Sequence, residues 1–495
     1  MNLTRLSHAL ASTLLGCVLF APASVLADEN PTSALMGALL ADTPLAEDLR
    51  ELTDEIGGRP TGSVTNLNSV EWGLKKFEAA GVTARKESFS MPARWLEKSC
   101  EGRVSGDLSF AVDVVAMPFS VATPKAGTKR PILDVGSGSD EDFENLGRSV
   151  KDAFVLVETS PLLDIDGLFE EYDVNVEIER RAEEAGAAGV VYMSSRPEGV
   201  LYRHTARGGF DNKQLVLAME RGDAERVLRS LLAGKQLQLW TKVELEDAAA
   251  HESYNVIGEI PGSDLADEYV LIGAHLDSWD LGGGANDNGC NVAMMIDIAR
   301  QMKQLGLTPR RTIRFALWNG EEQGMYGSWG YVQKHRNELD RHVMTGSIDI
   351  GSGAITGFFT GGRPEIVDAV DDALEPVEGL GPFELIDIPI VGTDNFDFML
   401  EGVANIVANQ DSYNYGPNYH ASTDNFDKVD VHQLRINAAI VAAVVCEFAN
   451  MDVDWDRQGR AEVQALIDDT DLGEQMETFD LMADWESGRR GRQNP

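Results

Sequence analysis

Residues 273–289 read GAHLDSWDLGGGANDNG. They continue the apolar run YVLIGA (269–274) and carry His275, Asp277, Asp280 and Asp287 among five glycines. A short apolar run that breaks into glycine reads as a buried strand entering a loop. The glycines allow tight turns and let side chains approach a common point. His275 and Asp277 therefore stand at the carboxyl end of a strand, and Asp287 stands just before a helix. In open α/β sheets ligands bind at that end.

Working outward, strands and helices alternate from His251 onward. NVIGEIPG (255–262), RTIRFALW (311–318), MTGSIDIG (344–351), IPIV (388–391) and ANIVA (404–408) read as strands. CNVAMMIDIARQMKQLG (290–306), GSWGYVQKHRNEL (327–339), PEIVDAVDDALEPV (364–377) and VHQLRINAAIVAAVVCEFANM (431–451) read as helices. The fold class is α/β, a mixed central sheet with helices on both faces. Upstream, a helical segment over 42–55 precedes the turn GGRPTGSVTN (57–66), a helix SVEWGLKKFEAAG (69–81) and a strand VTARKESFSM (82–91). Between 96 and 245 the texture changes to short β-type runs, with one helix, VEIERRAEEAGAAG (176–189). That region reads as a β-rich insert without a catalytic constellation. The expected boundaries are 28–95 and 246–455 for the two parts of the main domain, 96–245 for the insert and 456–495 for the tail. The tail is acidic and then basic, finishing in SGRRGRQNP, and its end is expected to be disordered.

Three more polar clusters share the position of the first. WNGEEQG (318–324) places Glu321 and Glu322 directly after a strand, where adjacent carboxylates repel unless a cation receives them. SIDIG (347–351) places Asp349 at the end of an apolar strand, and NYHASTDN (418–425) places His420 in a polar loop. Two imidazoles and three carboxylates form a ligand set suited to zinc. Five ligands exceed what one open catalytic zinc uses and suit two ions, with one carboxylate bridging. Asp277 is expected to hold the His275 ring by its other nitrogen. Glu321 is expected to act as a general base. The other histidines, His204, His251, His335, His342 and His432, read as surface residues, and Trp279 and Trp318 as packing.

The 495-residue chain carries 42 basic and 81 acidic side chains, a net charge of −39. So acidic a surface disfavours nucleic acid and anionic lipid as partners. The first 27 residues, with Arg5, an apolar stretch over 9–20 and small residues ending at Ala27, read as a secretory signal. The protein is thus expected to be exported, periplasmic or extracellular. A lipid anchor at Cys17 is the alternative, and no further run is read as a membrane span. The cysteines beyond the signal are Cys100, Cys290 and Cys446, an odd set that makes no disulfide scaffold. Cys290 and Cys446 are expected buried and Cys100 exposed.

The segments GAHLDSWDLGGGANDNG, RRTIRFALWNGEEQGMYGS, SIDIGSG, GTDNFDF and YHASTDNFDKVD, in that order, resemble metallopeptidase family 28, the co-catalytic di-zinc exopeptidases, and most of all its carboxypeptidase Q branch. AEEAGAAGVVYMS (182–194) resembles a protease-associated domain inserted in some members. The resemblance implies two Zn2+ per chain, held by His275 and Asp349 and by Glu322 and His420, with Asp287 between them and Glu321 as base. It implies hydrolysis of short peptides, of aminopeptidase, dipeptidase or carboxypeptidase type, and relatives that are often homodimers. Asp394 in GTDNFDF falls in a loop the family uses near substrate. One departure is Asp287-Asn288, where that branch usually has two acidic residues. A single-zinc glutaminyl cyclase-like acyltransferase and a non-catalytic binding ectodomain are alternatives on this scaffold. Retention of all five ligand positions speaks against both.

Overall fold

A computed structural model describes residues 31–493. The signal sequence and Cys17 lie outside the described residues. The main sheet has eight strands, in the spatial order Thr83–Met91, His251–Ile260, Arg311–Trp318, Leu265–His275, His342–Ser347, Asn405–Gln410, Ile355–Phe359 and Glu384–Ile386. The four central strands, from Arg311–Trp318 to Asn405–Gln410, pair in parallel. Their carboxyl ends therefore share one edge, and His275 lies level with Trp318 there.

Both faces of those strands are covered, and the sequence shows it residue by residue. Val270, Ile272, Ala274, Ile313, Phe315 and Leu317 join one core with the helices Cys290–Gln304 and Val431–Asn450. Leu271, Ala316 and Trp318 point the other way and pack with Tyr331, Val332 and Phe398. Period-two alternation with apolar residues at both phases is the signature of a sheet buried on both sides. Val431–Asn450 is the one helix among the described residues long and apolar enough to cross a membrane, yet it is largely buried in this core. Each fully buried Val, Leu or Ile there contributes roughly 1.5–3 kcal/mol.

The upstream segment closes this core. Pro31–Leu39, which the pattern did not indicate, adds Leu35 and Leu39 to it. After the helical turns Leu45–Arg50 and Glu51–Ile56, a helix runs Val64–Ala79, five residues earlier than the apolar spacing suggested, because Ser63 caps it by accepting from Asn66 N at 3.0 Å. In the main sheet, IPIV is not a strand. The edge strand is Glu384–Ile386, a few residues upstream, and Ile355–Phe359 is a further strand. Asp349 sits two residues past the strand His342–Ser347.

Residues 94–248 form a second eight-stranded sheet, in the order Phe110–Val112, Arg94–Gly106, Leu237–Ala248, Thr128–Asp134, Phe154–Val157, Gly189–Met193, Val216–Met219 and Val114–Ala116. The chain enters and leaves it along one antiparallel pair, from Arg94 opposite Ala248 to Gly106 opposite Leu237. The helices Asp140–Leu146, Ile165–Ala185 and Arg221–Leu232 accompany it, so it is α/β rather than simply β-rich. Cys100 is half-buried, while Cys290 and Cys446 are buried, and all three are free.

The end of the tail runs against the expectation of disorder, because Arg490 packs inward on Asp397. Arg460–Asp469, Leu472–Thr478 and Met482–Glu486 are helices, and Arg490 is buried. Val463, Ile467, Leu472, Met476, Leu481 and Trp485 give these helices an apolar side to bury.

Candidate metal centre

The loops at the shared strand edge bring His275, Asp287, Glu322, Asp349 and His420 together. His275 Nε2 lies 3.1 Å from Asp287 Oδ1 and 3.0 Å from Asp349 Oδ1. His420 Nε2 lies 3.1 Å from Asp287 Oδ2 and 2.8 Å from Glu322 Oε2. The two oxygens of Asp287 thus face different imidazoles. His275, Asp287 and Asp349 form one group that could hold an ion, and Asp287, Glu322 and His420 form a second.

The remaining ring nitrogens are anchored. His275 Nδ1 is 3.0 Å from the backbone carbonyl of Asp277, whose carboxylate is farther away at 3.8 Å. The ring is therefore oriented by the carbonyl, not by the side chain as expected. The Asp277 carboxylate ties the loops instead: Oδ2 accepts from Thr61 Oγ1 at 2.8 Å and from Gly320 N at 2.9 Å, one residue before Glu321. His420 Nδ1 is 3.0 Å from the carbonyl of Arg203, a residue of the second sheet's domain.

Three residues that no motif singled out shape the loops. Asp424 accepts from Asn286 N at 2.7 Å and from Asp287 N at 3.1 Å, fixing the backbone that carries Asp287. Arg59 is buried and spends its guanidinium on carbonyls: Leu276 at 2.7 Å, Gly283 at 2.6 Å and Gly284 at 2.9 Å. Gly284 has φ +60°, and a Cβ there would meet the Ser278 side chain at 2.4 Å. Arg203 is buried with Asp280 at 2.7 Å and Glu97 at 3.0 Å. Arg59 and Asp424 lie inside the segments GGRPTGSVTN and YHASTDNFDKVD, but nothing in their residue type marks the backbone groups they bind.

The electrostatics show a surplus of negative charge. Asp277, Asp287, Glu321, Glu322, Asp349, Asp394 and Asp424 cluster around His275, His420 and Arg59. Burial, with the charges of Asp349, Asp394 and Glu322, pushes Glu321 well above the usual carboxylate range. Burial, with Asp287 nearby, raises Glu322 to about 7. Burial opposes charging of His420, but the Glu322 charge and hydrogen bonds to Asp287 and Glu322 lift it to about 9. Burial alone would depress His275; Asp349 and Asp287 hold it well above the ordinary imidazole value. The buried Glu322 Oε1 has no hydrogen-bond partner. Crowded carboxylates, an orphaned oxygen and imidazole nitrogens aimed at one place fit divalent cations.

Glu321, Glu322, Asp349 and His420 open on a cavity of about 1360 Å3. Asp394, expected near substrate, is buried; Gly392 and Thr393 line the cavity in its place. Trp279 and Trp318 are packed as expected. His204 and His342 are buried, against expectation, and His432 is exposed. Burial drives both buried rings down to about 3.

Residues 255–445 match the family model for Peptidase family M28. Carboxypeptidase Q of Mus musculus is 27% identical over 416 residues, covering 82% of this chain and 86% of that protein. A crystal structure of a peptidase M28 precursor from Shewanella amazonensis superposes with a TM-score of 0.78 at 27% identity, covering 86% of this chain and 97% of that one. A zinc aminopeptidase from Bacillus subtilis shares the fold, with a TM-score of 0.64 at 21% identity over 83% of this chain and 96% of that one.

Proposed function

The chain belongs to peptidase family M28 and is a zinc metallo-exopeptidase, and on that premise we propose that it holds two zinc ions and cleaves short peptides after export. The observation that carries this reading is the placement of Asp287, with Oδ1 facing His275 and Oδ2 facing His420. His275 and Asp349 would hold one ion, Glu322 and His420 the other, and Asp287 would serve both. Ions there would supply Lewis acidity toward a peptide carbonyl and lower the pKa of a nearby water.

The chain's own residues supply the proton transfers and the order. Glu321 lies beside this cluster and opens on the cavity. It accepts a proton from the attacking water as the C–O bond forms, and then delivers it to the departing amine as the C–N bond breaks. Asp277 keeps the Glu321 loop in register with the His275 loop through Gly320 N. Asp394 acts on the charge of Glu321 from behind the cavity wall rather than touching substrate. Residues 94–248 serve as the inserted protease-associated-type unit, contributing Tyr172 and Phe210 to the cavity lining. Export rests on the leader at 1–27, with its Arg5 and apolar stretch.

Glu321→Ala separates the roles. It should retain its metal content while peptide turnover falls by roughly 10²–10⁴-fold. Hydrolysis by that variant at the parental rate would refute the assignment.

A further inference from the structure

The C-terminal arm, residues 460–490, lies beyond residue 445, where the family match ends. It nevertheless reaches the candidate site from outside. Its apolar residues pack on Met325, Val391, Phe396, Met399 and Leu400. Those core residues flank the loops that carry Glu321–Glu322 and Asp394. Arg490 donates to Gly324 O at 2.9 Å and pairs with Asp397 at 2.8 Å. Gln475 Oε1 accepts from Val391 N at 2.9 Å. One buried arginine and one glutamine thus clamp both loops.

The arm then crosses to the second domain. Thr478 Oγ1 donates to Asp173 Oδ1 at 2.7 Å, and Asp480 Oδ2 accepts from Gly208 N at 3.1 Å. The Phe479 ring sits 5.4 Å from that of Tyr172. The Tyr172 hydroxyl is in turn 3.0 Å from the Tyr419 hydroxyl, next to His420. Gln475, Thr478, Phe479 and Asp480 line the cavity together with Tyr172 and Asp173.

We propose that this seam, between the arm and the helix Ile165–Ala185, is the end wall of the substrate cleft and sets the length of peptide the enzyme accepts. The inference rests on the peptidase reading. An extended peptide advances about 3.3 Å per residue, so a wall across the cleft is met within a few residues of the scissile bond. The seam is held by two solvent-exposed hydrogen bonds and one ring contact. The arm's own anchors, Arg490 and Trp485, are buried elsewhere. The wall can therefore be opened without releasing the arm.

The test compares the metal-loaded parent with a Phe479→Ala/Thr478→Ala variant on alanine peptides of two to eight residues. Opening the wall is expected to raise the ratio of kcat/KM for the octapeptide over the dipeptide at least tenfold, mainly through a lower KM for the octapeptide. Thr478→Val, which removes the hydrogen bond across the seam to Asp173 and the local one to Glu474 O, should move the ratio in the same direction by a smaller factor; it serves as the readout if the double variant melts well below the parent. An unchanged ratio in variants that melt like the parent would overturn the wall alone, as would a parent that cleaves octapeptide and dipeptide equally well. A parent that cleaves none of the series would overturn the peptidase reading, and the wall with it.

Discussion

The imidazole of His420 and the backbone carbonyl of Arg203 meet at 3.0 Å, and the amide of Arg203 returns a hydrogen bond to the His420 carbonyl at 3.0 Å. Tyr202 and Ala421 form an isolated antiparallel bridge beside them. A short ribbon thus joins the second domain to the loop that carries His420. The Arg203 side chain fixes this ribbon by pairing with Asp280 and Glu97.

Arg203→Ala should therefore weaken ion binding at the Glu322–His420 group first. Removing one partner of a buried ion pair typically costs about 3–5 kcal/mol. Metal analysis after dialysis should fall from two ions toward one, with a lower melting temperature. Retention of both ions at the parental affinity would show that the ribbon does not position His420.

Gly284→Ala tests the loop that carries Asp287. The substituted residue would be held at φ +60° with its Cβ 2.4 Å from Ser278. Backbone strain of this kind costs about 1–3 kcal/mol. Thermal melts should show a loss of that order, and isothermal titration with zinc should show weaker binding at both groups, because Asp287 faces both.

Glu87 offers a pH signature away from the metal centre. Burial opposes its ionisation, but the hydrogen bond to His335 at 2.8 Å and the Arg85 partner lower its pKa to about 2. A depressed folded-state pKa stabilises above the unfolded value and is lost as pH falls through the folded one. Glu87 should thus contribute about 3 kcal/mol above pH ~4.5, declining toward pH ~2. Glu87→Gln should be less stable than the parent at pH 6, with the gap narrowing by pH 3. A gap that stays constant over that range would contradict the ion pairing.

Much of the site was legible because its chemistry sits where strands end. His275, Glu321, Glu322 and Asp349 follow apolar runs whose length fixes the strand edge, and the sheet then brings them together. What was not legible depends on contacts between distant segments. Asp424 reads as an ordinary turn aspartate until its carboxylate is seen on the amides of Asn286 and Asp287. Arg59 binds only carbonyls, which leave no mark on residue type. His204 and His342 are buried by neighbours far along the chain, and a lone histidine carries no periodicity.

The tail is a different case, because its signal was present. Val463 and Ile467, Leu472 and Met476, and Leu481 and Trp485 are three pairs at i,i+4 spacing, each within or beside a helix. The basic run at 489–492 has the composition of a solvated end, yet Arg490 is drawn inward by Asp397.

Anomalous diffraction at the zinc edge, from crystals of the parent grown with zinc, tests the central claim most directly. The account predicts two peaks, one bounded by His275, Asp287 and Asp349 and the other by Asp287, Glu322 and His420. A single peak, or none between these side chains, would contradict it.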